Sequence, residues 1–70
     1  MMTFVEKVSG SFDQVSVEKD YVDLILRKKN RVTSWYEEQL ATEAIKFSGY
    51  KGEIEIPVRT VGITKFRIRP

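Results

Sequence analysis

The chain of 70 residues contains no cysteine and no histidine. Without cysteine, no disulfide can stabilise a core of this small size. The two absences together exclude zinc fingers, serine–histidine triads and cysteine–histidine pairs. The carboxylates also lack the D-x-D-x-D loop spacing of calcium sites. The sequence therefore nominates no catalytic residue, no cofactor-binding residue and no metal ligand, and we expect a protein that is not an enzyme.

Long apolar runs are missing as well. No run approaches the roughly 20 residues that span a bilayer, so we expect no membrane partner. Residues 1–7 lack a basic stretch followed by an apolar one, which predicts no signal peptide and, by default, a cytoplasmic location. The hydrophobic fraction of 41% and the charged fraction of 31% are typical of a soluble globular chain. The length predicts a single domain over residues 1–70.

Charge is unevenly distributed along the chain. The net charge is only +2, yet residues 1–26 carry five acidic against two basic side chains, giving −3. Residues 27–70 carry ten basic against five acidic side chains, giving +5. Any site for an anionic partner is therefore expected in the second part of the chain.

The clearest helix is predicted over residues 34–48. Ser34 and Glu37 have the S-x-x-E spacing of a capping box, in which each side chain binds the other residue's backbone N–H. Gly49 is suited to the left-handed conformation that ends a helix. The residues at the spacing of one apolar face are Leu40, Ala41, Ala44, Ile45 and Phe47, and those assigned to the polar face are Glu38, Thr42, Glu43 and Lys46.

A β-hairpin is predicted over residues 53–69, with one apolar and one charged face. A three-residue loop over 60–62, with Gly62 in its third position, sets the register. Pro57 cannot donate to a ladder, so its strand must be an edge or be bulged there. The pairs expected across the two strands are Ile54 with Ile68, Ile56 with Phe66, Val58 with Thr64, Glu55 with Arg67 and Glu53 with Arg69.

The patterns that predict secondary structure are weaker in the first part of the chain. Residues 3–8 predict a short strand, residues 9–11 a turn and residues 12–17 a second strand. The segment 16–29 stays open between strand and second helix, and strand is preferred because its apolar run is short. The expected fold class is α+β: a small antiparallel sheet packed against one main helix.

Two groups of basic residues are candidates for binding nucleic acid through its phosphates. The hairpin group already has cross-strand acidic partners in the predicted register, since Arg67 and Arg69 face Glu55 and Glu53. The turn group has no evident local partner and is the sharper signal, although a solvated loop tip is its simpler interpretation. The candidates are Arg27, Lys28, Lys29 and Arg31 at the turn, and Lys65 and Arg67 in the hairpin.

Candidates for binding another protein lie at the start of the helix and on the edge strand. Trp35 and Tyr36, if exposed, would be natural anchors, because aromatic and arginine side chains dominate the binding energy of interfaces. Arg59 on the strand over 53–59 is the third candidate. A free edge could add a strand from a partner, although Pro57 and alternating charges usually prevent such pairing.

Two segments resemble known DNA-binding families. Residues 57–62 (PVRTVG) and 65–70 (KFRIRP) resemble the wing of excisionase-type winged-helix proteins over the last 14 residues. The segment 15–40 is loosely similar to ribbon-helix-helix repressors. Both resemblances imply binding to DNA.

Two hypotheses follow. The first is a small non-enzymatic module that binds a larger macromolecular partner, most plainly another protein, and modulates or inhibits it. The alternative is a regulator that binds nucleic acid through the cluster at 27–31 and the C-terminal hairpin. Assembly as a homodimer stays open under both.

Overall fold

The computed structural model describes residues 2–70, with side chains from residue 4 onward. It confirms an α+β fold built from two helices, a short 3-10 turn at Ser9–Ser11 and four strands. No helix within residues 2–70 combines the length and the hydropathy needed to cross a membrane. In chain order the elements are α1 (Met2–Val8), β1 (Gln14–Val17), β2 (Val22–Arg27), α2 (Trp35–Phe47), β3 (Glu55–Thr60) and β4 (Ile63–Ile68).

The four strands form one antiparallel sheet in the order β1-β2-β4-β3. The hairpins β1–β2 and β3–β4 each contribute one inner strand, and the two inner strands, β2 and β4, pair with each other. The segment 16–29 is therefore strand rather than helix, as preferred, because β2 occupies its apolar part. The prediction that the strand containing Pro57 is an edge is confirmed, since β3 pairs only with β4.

The prediction of a strand over residues 3–8 is wrong, because this segment is helix α1. Val5 and Val8 are both buried, while Glu6 and Lys7 between them are exposed. A spacing of three is the repeat of a helix, whereas a strand would bury alternate residues. The run is too short for its periodicity to decide between the two, and tertiary packing determines the outcome.

The core lies between the helices and one face of the sheet. Val22, Leu24 and Leu26 are buried on alternate positions of β2 and therefore share that face. The intervening residues of β2 are on the opposite face, which no helix of the described chain covers. The buried core residues from the other elements are Val5, Val8, Phe12, Ala41, Ile45, Phe66 and Ile68.

The hairpin β3–β4 follows the predicted register only at one end. Glu55 lies opposite Arg67 as expected, but Val58 lies opposite Lys65 rather than Thr64. The shift between them places Ile56 and Pro57 opposite a single residue of β4, which is the β-bulge that Pro57 favours. The turn is also shorter than predicted, since Thr60 pairs with Ile63 across a two-residue loop.

Candidate functional site

Helix α2 begins with the predicted capping box. The Glu37 backbone N–H donates to Ser34 Oγ at 3.1 Å, and the Ser34 N–H donates to Glu37 Oε1 at 2.8 Å. Ser34 is the N-cap, so Trp35 and Tyr36 occupy the first two helical positions. Both rings point to solvent, with 73% and 65% of their residue surface exposed. These two predicted anchors are therefore accessible to a partner.

The face that α2 turns inward differs from the predicted one. Ala41 and Ile45 are buried as expected, but Leu40 and Phe47 are 49% and 94% exposed. Glu38, assigned to the polar face, is instead 6% exposed. The helix is thus rotated about its axis relative to the prediction. This rotation leaves four large apolar side chains on the outside of one helix, and they are here called the α2 outer face: Trp35, Tyr36, Leu40 and Phe47.

A buried polar network explains the rotation. The Thr33 hydroxyl lies 2.8 Å from Glu38 Oε2 and 2.9 Å from the hydroxyl of Thr64. The guanidinium of Arg59 binds the other carboxylate oxygen of Glu38. A buried carboxylate is tolerated only when such partners replace water. Arg59, predicted as a contact for another protein, is therefore also a structural partner of α2, and about half of its side chain stays accessible.

The basic turn at 27–31 has an acidic partner that the local sequence does not reveal. Lys28 Nζ lies 2.7 Å and Arg31 Nη1 lies 2.6 Å from the carboxylate of Glu37. Hydrogen bonds from Arg31, then Lys28, then the Ser34 backbone hold the pKa of the Glu37 carboxyl well below its ordinary value of 4.5. The hydrogen bond between Arg31 and Glu37 also raises the pKa of Arg31. Glu37 thus caps the helix and also neutralises part of the basic turn.

The hairpin arginines are paired differently from the predicted scheme. Arg67 binds both oxygens of Asp23 on β2, at 2.8 and 3.0 Å, and its guanidinium carbon lies 4.1 Å from the centre of the Tyr21 ring. The hydrogen bond to Asp23 raises the pKa of Arg67. Glu55, although opposite Arg67 in the ladder, binds Arg69 instead. Sequence reasoning missed Asp23 because it lies 44 positions from Arg67.

Three of the six nucleic-acid candidates are therefore held by carboxylates of the same chain, namely Lys28, Arg31 and Arg67. The other three are Arg27, Lys29 and Lys65, which form no salt bridge within residues 2–70. Arg27 donates to Gln14 Oε1 at 2.7 Å. The fold does not gather the six cations into one free patch.

Two hollows run along the flank of α2 that adjoins the outer face. One, of about 380 Å³, is lined by Leu26, Lys28, Leu40 and Ala41 among others. The second, of about 390 Å³, is lined by Lys7, Ala44, Phe47 and Ser48. Ser11 lines both, so the two hollows adjoin. Across residues 2–70, no three acidic side chains are grouped so that they could hold a metal ion.

Comparison with known proteins gives no further guide to this site. No protein-family model, curated protein or solved structure matches the chain. The chain is defined by its fold class as a small α+β protein, and its function has to be inferred from its own side chains.

Arg59→Met tests the buried network. The change removes the cation but leaves the Glu38 carboxylate buried, so the free energy of unfolding should fall by about 1–3 kcal/mol in urea titrations. The control is Arg69→Met, which removes a pair exposed on both sides and should cost less than about 1 kcal/mol. Equal losses in the two variants would contradict the structural role given to Glu38 and Arg59.

Glu37→Gln tests the pairing of the basic turn, since glutamine keeps the capping geometry and removes only the charge. A carboxyl whose pKa is depressed by folding stabilises the native state above its unfolded pKa, and this stabilisation declines as the pH falls below about 4.5. The variant should therefore unfold at lower urea than the wild type at pH 7, and the difference should shrink below pH 4.5. Glu43→Gln changes an exposed residue of the same helix and should leave the urea midpoint unchanged at both pH values. A loss of stability in Glu37→Gln that does not depend on pH would contradict the pairing.

Proposed function

We propose that the chain is a small non-enzymatic module that binds a larger protein partner through the α2 outer face and modulates or inhibits it. The supporting observation is that Phe47, 94% exposed, lies on the same outward side of α2 as Tyr36 and Leu40. Positions 36, 40 and 47 fall on one helical stripe. An exposed apolar stripe of this kind costs solubility unless a partner covers it.

The size of the face fits a binding role. A fully exposed aromatic side chain presents roughly 200 Å², so the four side chains together expose on the order of 500 Å². The sum is comparable with the largest apolar patches on ordinary monomers, about 300–600 Å². Trp35 lies to one side of the stripe formed by positions 36, 40 and 47, and the exposed Glu43 lies within it. A standard interface buries about 800 Å² per partner, so a polar rim around these side chains would complete it. The adjoining hollows extend the apolar surface beside Leu40 and Phe47.

Binding to nucleic acid remains the alternative. Arg27 and Lys65 support it, since they lie on the face of the sheet without helices and form no salt bridge within residues 2–70. The internal pairing of Lys28, Arg31 and Arg67 argues against it. A cation already bound to a carboxylate must give up that partner before it can replace counterions on a phosphate backbone.

A photo-cross-linking experiment tests the proposal. Benzoylphenylalanine at position 47 should give one discrete high-mass adduct in cells that express the full chain, and Tyr36→Ser should abolish that adduct without unfolding the protein. Val61, 67% exposed at the tip of the hairpin, is the matched control and should give no such adduct. Equal adducts at both positions, or none at 47, would refute the α2 outer face as the binding surface.

Measuring the affinity for generic duplex and single-stranded DNA over a series of salt concentrations distinguishes protein binding from nucleic-acid binding. The proposal predicts no salt-dependent binding. An affinity that falls steeply with salt, and that drops further in a variant with Arg27→Ala, Lys29→Ala and Lys65→Ala, would replace the leading function with the alternative.

A further inference from the structure

The two edges of the sheet are protected very differently. β3 carries Pro57, the bulge beside it and the charged residues Glu55 and Arg59. These features are the usual means by which proteins prevent an edge from pairing with another strand. β1, the other edge, has the sequence QVSV, with no charge, no proline and, over Gln14–Val17, no shift in its register with β2. Only the short length of β1, four residues, limits its pairing with another strand.

The outward side of β1 presents free backbone groups. The Glu18 N–H donates to the Tyr21 carbonyl at 2.9 Å. In an antiparallel strand the backbone groups of successive residues point alternately toward the paired strand and away from it. The N–H and C=O groups of Ser16, two positions from Glu18, therefore point toward β2. Those of Val15 and Val17 point away from the sheet. Within residues 2–70, no hydrogen bond reaches these four groups. The Val17 side chain is 52% exposed beside them.

We propose that β1 pairs antiparallel with β1 of a second copy of this chain. The strand is self-complementary about a two-fold axis at Ser16. In that register Val15 of each copy lies opposite Val17 of the other, and these are the residues whose backbone groups point outward. Four hydrogen bonds then join the copies, and the two sheets become one of eight strands.

The polar residues next to β1 agree with this register. Gln14 faces Glu18 of the second copy, so the amide donors of one copy lie opposite the carboxylate of the other. A parallel arrangement would instead place the two Glu18 carboxylates side by side, and like charges across a strand pair are destabilising. Asp13 takes no part in the contact, because its carboxylate accepts from the Arg27 N–H at 2.8 Å and its own N–H donates to the Ile25 carbonyl on β2. The contact uses β1 and leaves the α2 outer face free.

Disulfide trapping tests the register directly, because the chain has no other cysteine. In the proposed dimer the two Ser16 residues form a non-hydrogen-bonded pair, in which the Cα atoms are about 4.5 Å apart. A disulfide can bridge that distance. Gln14→Cys is the control on the same strand and face, since the two Gln14 residues would be roughly 14 Å apart. Ser16→Cys should form the covalent dimer at least about tenfold faster than Gln14→Cys. Equal rates would overturn the proposal.

Sedimentation over a concentration series gives a second measurement that needs no oxidation. The wild type should dimerise reversibly, and Val17→Lys should weaken the dimer at least about tenfold, because a charge on an edge strand opposes pairing. Val61→Lys, the same change at the hairpin tip, should leave it unchanged. A wild type that stays monomeric throughout, or a dimer that survives Val17→Lys and is lost in Phe47→Ser, would overturn pairing through β1.

Discussion

The buried carboxylate of Glu38 is the constraint on which the orientation of α2 depends. A carboxylate with 6% of its residue exposed cannot remain in a small core without polar partners. Its partners come from two segments, Thr33 before the helix and Arg59 on β3, and Thr33 is itself hydrogen-bonded to Thr64 on β4. To reach both partners, the helix must turn Glu38 inward together with Ala41 and Ile45. Leu40 and Phe47 are then left outside, and the α2 outer face is a consequence of satisfying one charge.

Internal pairing also governs what the other charges can do. A sequence with +5 in its second part suggests an electrostatic surface for nucleic acid. Glu37 and Asp23 instead bind three of the cations that would form such a surface. The apolar side chains show the opposite pattern, since the largest exposed ones have no cover in the described chain. This contrast is why binding to a protein is the better-supported proposal.

Sequence reasoning succeeded where the determinants are local. The capping box needs only Ser34 and Glu37, and the turn at Gly49, with φ of 109°, needs only one residue. It was partly right for the hairpin, because alternation sets the faces but the bulge at Pro57 moves the register by one residue. It was wrong for α1, where seven residues carry too little periodicity.

The candidate site shows the same limit more sharply. Trp35 and Tyr36 were predicted as anchors if exposed, and both are exposed in the orientation that α2 adopts. Phe47 was placed on the buried face because apolar spacing alone cannot detect a polar residue with buried partners. Thr64 lies 31 positions from Thr33, and no local pattern connects residues that far apart. Only the folded chain reveals which face of the helix is free.

The rotation of α2 can be measured directly by NMR with a soluble paramagnetic relaxation agent. The side-chain protons of Leu40 and Phe47 should relax strongly, and those of Ala41 and Ile45 should be protected. A Thr33→Val variant, which removes one partner of Glu38, should narrow that difference, because the orientation of the helix then has less support. Protection of Phe47 together with strong relaxation of the Glu38 methylenes would contradict the claim that a buried carboxylate sets the binding face.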